Sequence, residues 1–220
     1  MTLILYSRYL NSAGERVRIA LALKGLDYEY EPVDAIGFEA YRQINPQGLM
    51  PALRIGDAII PQATAILEYL EETYPDPRLL PADPVLKAQS RGFAQHITSE
   101  MHAIDVIRVR RFLANELGLE QAALDRWQLH WFHTGFEALE ELLRRRQQEM
   151  PFCYGETPGW ADLHLIPQVA KGIKRFSVDM SAYPLIAEIY HRCREHPAFI
   201  AASPEQQRDY PGRLIEPGLK

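Results

Sequence analysis

Thiols are scarce in this chain: 220 residues contain two cysteines, Cys153 and Cys193. Two cysteines form neither the disulfide framework of a small secreted domain nor a metal-ligand spacing. No metal site is expected. No Cys-x-x-Cys occurs and nothing before Cys153 is a cysteine, which excludes a dithiol reductase built on the N-terminal half. Long apolar runs are also missing, so no membrane span is expected. Met1 to Tyr6 lacks the basic start of a secretory signal. There is no excess of basic charge: the net charge is −5, which gives no general reason to expect nucleic acid as a partner. Internal repeats and low-complexity segments are absent as well. What is there is ordinary for a soluble globular protein, 47% apolar and 24% charged, in a length that suits one large domain or two small ones. A reducing cytoplasm is the simplest expected location.

The most informative stretch runs from Asn45 to Tyr74. A turn leads into a short strand, Ala52 to Ile55; Gly56-Asp57 reverses the chain, and Ala58 to Ile60 forms a second strand that Pro61 stops. Thr64 opens a helix with Ile66, Leu67 and Leu70 at helical spacing. Two places here suit a small anionic peptide. One is the Met50 backbone, exposed as a strand edge if the bond to Pro51 is cis. The other is the helix start at Gln62 to Thr64, where free N–H groups and the helix dipole favour a carboxylate. The residues alone equally allow a hairpin and helix that only pack.

In chain order, Leu3 to Tyr6 reads as a strand, Glu15 to Lys24 as a helix with Gly25 after it, Tyr28 to Val33 as a strand, and Phe38 to Ile44 as a short helix. With the hairpin and its helix the order is β-α-β-α-β-β-α, a small α/β domain ending near Tyr74. Pro75, Pro77, Pro81 and Pro84 mark a linker, after which strand signals stop. Helical patterns follow over Val85 to Asn115 (one helix or a pair), Gln121 to Gln148, Trp160 to Lys171, Pro184 to Glu195 and Pro197 to Ala202. The second of these carries a stripe of Leu129, Phe132, Phe136, Leu139 and Leu143. The tail after Ser203 is expected along the surface. Two domains follow, residues 1–80 and 85–220, the first α/β and the second all-helical.

Several motifs in the right order give the chain a resemblance to glutathione transferases, and within them to the zeta class, which includes maleylacetoacetate and maleylpyruvate isomerases. They are Arg16-Val17-Arg18-Ile19-Ala20-Leu21-Ala22-Leu23-Lys24-Gly25, Ile66-Leu67-Glu68-Tyr69-Leu70-Glu71-Glu72 with Arg78-Leu79-Leu80-Pro81, and Ala161-Asp162-Leu163 with Pro167-Gln168-Val169 and Arg175-Phe176-Ser177-Val178-Asp179. The resemblance implies a thioredoxin-like first domain with a cis Pro51, and glutathione as cofactor held at Met50, Pro51, Gln62, Ala63 and His102. It also implies a symmetric homodimer, the first domain of one subunit lying against the helices of the other. The departures fall where the chemistry belongs. Asn11-Ser12-Ala13 stands where the class carries serines and a cysteine, and Ala63 where it carries a serine. The loop after Val33 is shorter than usual, and Gly159 stands where a helix-capping threonine is common.

A free thiol is only a few per cent ionised at neutral pH, so a glutathione enzyme must favour the thiolate, with a hydroxyl donor or a helix N-terminus. Ser12 is the expected donor, its alternative being a plain helix N-cap. Asn11 is a second donor and Tyr9 a rival, while Tyr6 reads as core. The resemblance implies isomerisation or conjugation of a dicarboxylate or other electrophile. Arg175 then serves a substrate carboxylate, with Arg8, Arg108 and Arg110 as further cations. Cys153 and Cys193 read as structural. The alternative function is a glutathione transferase-like binding protein that has lost catalysis, an idea that the alanines at 13 and 63 favour.

Overall fold

The computed structural model describes residues 2–215. The described residues cluster into two units, one of residues 2–79 with 194–214 and one of residues 80–193 with Ile215. The first is built on strands β1 (Leu3–Ser7), β2 (Glu29–Pro32), β3 (Ala52–Ile55) and β4 (Ala58–Pro61), in the sheet order β2-β1-β3-β4. β1 runs parallel to β2 and antiparallel to β3, which runs antiparallel to β4, so the sheet is mixed as the hairpin signal implies.

Alternation along β1 explains why both faces of the sheet are covered. Tyr6 and Ile4 lie in a cluster with Ala52 of β3, Val33 and Ile36 of helix α2 (Val33–Ile36), and Tyr41 and Ile44 of helix α3 (Phe38–Ile44). Leu3 and Leu5 point the other way and are buried. Helices α1 (Ser12–Leu23) and α4 (Ala63–Thr73) pack on each other through faces that include the fully buried Val17, Leu21, Ile66 and Leu70. The strands and α3 match the sequence reading closely. Helix α2 escapes it, since four residues carry no readable period.

The C-terminal stretch 194–214, grouped with the helices by sequence character, clusters with the first unit. Helix α11 (Pro197–Ala202) packs on α1, and Ala198, Phe199 and Ala202 are buried. Instead of lying wholly on the surface, the tail buries Ser203, Pro204 and Gln207. Arg18, with no exposure, donates from Nε to the Ala202 carbonyl at 2.9 Å.

In the second unit, Asp83 caps α5 (Pro84–Gln95) by accepting from the Val85 and Leu86 N–H groups. The expected helix or helix pair over 85–115 is interrupted twice. His96–His102 winds as a π-helix, and Val106, extended at ψ 154°, separates α6 (Ala103–Asp105) from α7 (Ile107–Asn115). Helix α8 (Gln121–Arg144) buries Phe132, Phe136, Leu139 and Leu143 as the stripe predicts, but the next buried position is Gln128 and not Leu129. Helix α9 (Trp160–Phe176) runs past Lys171, the end expected from sequence. Asp162 holds its start, accepting from Gly159 N–H at 2.9 Å and from Cys153 N–H at 3.0 Å, so the missing threonine at 159 is compensated from the other side. Helix α10 (Pro184–Glu195) follows.

Lys24 closes the first unit's helical face. Its buried ammonium donates to Glu71 at 2.8 Å and to the carbonyls of Tyr74 and Pro77 at 2.6 and 2.9 Å, while Glu71 accepts from the Leu79 N–H. Removing one partner of a buried pair strands the other, so Lys24→Ala is expected to cost about 3–5 kcal/mol. Chemical denaturation measures this, and a loss below about 1 kcal/mol would show that the pair is solvated in solution.

Candidate functional site

Strand register alone brings three separate pieces of the first unit together. Tyr6 pairs with Ala52, and Ala52 pairs with Pro61. The end of β1, the start of β3 and the end of β4 therefore share one end of the sheet. From it lead the loop to Ser12, the Met50-Pro51 step and the start of α4 at Gln62-Ala63.

The first piece is the start of α1. Asn11, in extended backbone, caps it through Oδ1, which accepts from Gly14 N–H at 2.5 Å. Glu15 N–H returns to the Asn11 carbonyl at 2.8 Å, leaving the Ser12 and Ala13 N–H groups without helical partners. The plain N-cap role offered to Ser12 thus belongs to Asn11; Ser12 is the first helical residue, half-buried, and its hydroxyl is not spent on the cap. Gly14 is required by space, because a Cβ there would lie 2.0 Å from Ser7 Oγ and 2.7 Å from Asn11 Oδ1. The helix begins three residues before Glu15, its expected start, because this turn is made of small residues that no period reveals.

The second piece is the turn before β3. Asn45 is buried and holds it: its Nδ2 donates to the Leu49 carbonyl at 2.7 Å, and the Tyr41 hydroxyl donates to the same carbonyl at 2.7 Å. The Met50-Pro51 bond that follows is cis. At the third piece Gln62 sits at φ 70°, a conformation that costs a non-glycine residue on the order of 1–3 kcal/mol. Its side chain does not cap α4 but donates to Gln47 Oε1 at 2.8 Å. The first helical bond is Ile66 N–H to the Gln62 carbonyl, so the N–H groups of Ala63, Thr64 and Ala65 have no intrahelical acceptor. One end of the sheet thus gathers the Ser12 hydroxyl, the Met50 main chain and N–H groups at the start of α4 that have no intrahelical acceptor.

Comparison with known proteins agrees with this geometry. Residues 5–78 match the family model described as glutathione S-transferase, N-terminal domain. A probable maleylacetoacetate isomerase of Vibrio cholerae is 40% identical over 215 residues, 95% of this chain and 99% of that one. The chain belongs to the zeta-class glutathione S-transferases. Among solved structures it is similar to the holo structure of a bacterial zeta-class maleyl pyruvate isomerase, with TM-score 0.89, 38% identity, and 94% of this chain and 99% of that one covered. A maleylacetoacetate isomerase of Methylobacterium extorquens AM1 with bound malonate and glutathione gives TM-score 0.87 and 37% identity, over 94% and 99% of the two chains.

Within this zeta-class frame, Ala13 and Ala63 are both buried methyl groups where reactive or polar side chains were expected. Of the rival hydroxyls, Tyr6 is core, and Tyr9 is buried with its ring edge-on to Tyr210. Arg8 pairs with Asp34 on α2. In the second unit His102 ends the π-helical segment, its Nδ1 3.8 Å from Asp105 Oδ1. Asp105 is itself buried, and accepts from Lys171 and, at 2.6 Å, from Gln168. Arg175 and Arg110 both lie over the Phe176 ring, at 5.5 and 5.2 Å, whereas Arg108 is exposed on another side of α7. Both arginines are candidate cations from sequence; the structure buries Arg110 against Phe176 and leaves Arg108 exposed. Cys153 and Cys193 are buried, and burial pushes both thiols up, with the Asp162 carboxylate adding to it, which suits a structural role. No group of three potential metal ligands occurs among the described residues.

Proposed function

We propose that this protein is a glutathione-dependent enzyme that isomerises maleyl-type dicarboxylates or conjugates related electrophiles. The observation that carries the reading is the convergence of the Ser12 loop, the Met50 main chain and the start of α4 at one end of the sheet. Family membership supports it. Glutathione, when bound, would supply the thiolate nucleophile for reversible addition to a cis double bond.

The chain's own part is to hold and to bias. The Met50 backbone takes the cysteinyl main chain of the tripeptide by strand-like pairing. The free N–H groups at Ala63 and Thr64, with the α4 dipole, take its γ-glutamyl carboxylate beside Gln62. Ser12 donates to the sulfur, helped by the positive end of α1 and by the amide nitrogen of Asn11, whose oxygen is committed to the cap. Arg175 neutralises a substrate carboxylate, and Arg110, which shares the Phe176 ring, joins it in place of the exposed Arg108. Arg8 and His102 are further contacts in this reading. Two buried free thiols suit a reducing cytoplasm, for which cell fractionation is the check. The assembly is a symmetric homodimer, a reading supported by the family and by the prevalence of closed two-fold dimers; sedimentation as a monomer at micromolar concentration would contradict it.

Two sets of variants test the chemistry. A hydrogen bond to a charged partner is worth about 1.5–3 kcal/mol, or roughly one to two powers of ten. Ser12→Ala should therefore raise the pKa of bound glutathione and cut turnover by that factor, with substrate binding little changed. Arg175→Ala should weaken a maleyl dicarboxylate more than a neutral aryl halide. Unchanged turnover in Ser12→Ala removes Ser12 from the mechanism. Bound glutathione without activity on either substrate turns the reading to a binding protein. Ala63→Ser should tighten glutathione binding by restoring a hydroxyl at the carboxylate, and an unchanged Kd would place Ala63 outside that contact.

A further inference from the structure

The loop between β1 and α1, residues 8–11, leads straight into Ser12, and its Tyr9 peptide is held on both sides. The Tyr9 N–H donates to Asp209 Oδ2 at 2.9 Å. The Tyr9 carbonyl accepts from Arg18 Nη2 at 3.2 Å, and the preceding carbonyl, of Arg8, accepts from Arg18 Nη1 at 3.3 Å. Asp209 is in turn aimed by the Tyr30 hydroxyl, which donates to its other oxygen at 3.0 Å. Burial pushes the Tyr30 phenol well up against the opposing pull of Arg18, so it keeps its proton at neutral pH. The rings of Tyr9 and Tyr210 meet edge-on, 5.7 Å between centroids. The adjacent Arg208 pairs with Glu31 at 3.0 Å and lies over the Tyr30 ring at 6.0 Å, tying the same segment to β2.

These contacts join residues some 200 positions apart in sequence. A polar tail could dock with any exposed residue, yet the carboxylate here is spent on one main-chain N–H three residues before Ser12. We propose that Asp209 is a positioning residue for the thiol-activating end of α1, acting through the Tyr9 peptide. This rests on the reading of Ser12 as donor to the glutathione sulfur. A donor helps a thiolate only over a narrow range of distance and angle, and a loop freed at Tyr9 spreads Ser12 over geometries that fall outside it.

The test compares Asp209→Ala, Asp209→Asn, Tyr30→Phe, Arg208→Ala and Ser12→Ala with the wild type. Thiolate absorbance against pH reads the bound thiol, and hydrogen exchange at the Tyr9 amide is read in the free protein. Asp209→Ala is expected to speed that exchange, raise the thiol pKa and lower kcat by about three- to thirtyfold, with the glutathione Kd within about twofold. Asp209→Asn keeps an acceptor for Tyr9 and should restore both readouts. Tyr30→Phe should move them in the same direction by less, and it serves if Asp209→Ala does not fold. Arg208→Ala, which removes a tie of the same segment and the cation over Tyr30, should shift them by no more than Tyr30→Phe does; a shift as large as that of Asp209→Ala would assign the effect to tail docking and overturn the proposal. A folded Asp209→Ala protein with the wild-type thiol pKa, while Ser12→Ala shifts it, overturns the positioning role and leaves Ser12 standing. The reverse pattern retains the role of the loop and removes Ser12 as its agent. If neither variant moves the thiol, both ideas fall.

Discussion

The first unit depends on one buried cation. Arg18 cannot shed its charge, and it has no exposure. Three main-chain carbonyls, of Arg8, Tyr9 and Ala202, receive its guanidinium. The cost of taking such a charge out of water is several kcal/mol, and it is offset only where the fork finds acceptors in a fixed geometry. That requirement joins the loop before α1, the helix itself and the C-terminal helix α11 into one object. Loss of α11 would leave Arg18 short of an acceptor, and a displaced loop would leave it short of two. The hold on the C-terminal segment and the placement of the Ser12 loop are therefore one constraint.

How much of this was legible in the sequence follows from how each residue announces itself. Ala52 to Ile55 and Phe38 to Ile44 were read with their boundaries because turn residues on either side name them. The start of α1 was not, because Asn11 and Gly14 act through a cap and a close approach that leave no period. Arg16 and Arg18 belong to the motif that announced the family, yet apolar periodicity gives no reason to bury them. Gln128 shows the same blindness on α8: the core face passes through a polar residue, while the stripe read from apolar spacing drifts to Leu129. The π-helical turn at His96–His102 adds to the helix a register that no 3.6-residue rule contains. The Met50-Pro51 step and the start of α4 are legible because they are local. Asp209 was out of reach, because its partner lies at the other end of the chain.

The losses at Ala13 and Ala63 look severe as a list of missing side chains and less so as geometry. In the proposed reading most of the groups that hold glutathione are main chain: the N–H groups at the starts of α1 and α4, and the Met50 backbone. They depend on helix starts and strand register, which an alanine leaves intact. One missing hydroxyl bond to a charged carboxylate is worth about 1.5–3 kcal/mol, a reduction in affinity and not its abolition. Ala13 bears even less on the reaction, since the nucleophilic sulfur that the family uses comes with glutathione.

Gln62 is where the fold accepts a cost at the start of α4. Its φ of 70° costs on the order of 1–3 kcal/mol for a residue other than glycine. The chain must turn sharply there, from the last paired residue of β4 into α4 with only Gln62 between. β4 is held by its pairing with β3, and α4 by the burial of Ile66, Leu67 and Leu70. Burying three such side chains contributes roughly 1.5–3 kcal/mol each, more than enough to hold the strained residue in place. A glycine would relieve the strain and also free the hinge, letting the end of α4 move relative to the sheet. A side chain locked in that conformation, and tied to Gln47 besides, fixes the first N–H groups of α4 against the end of the sheet where Ser12 and Met50 also lie.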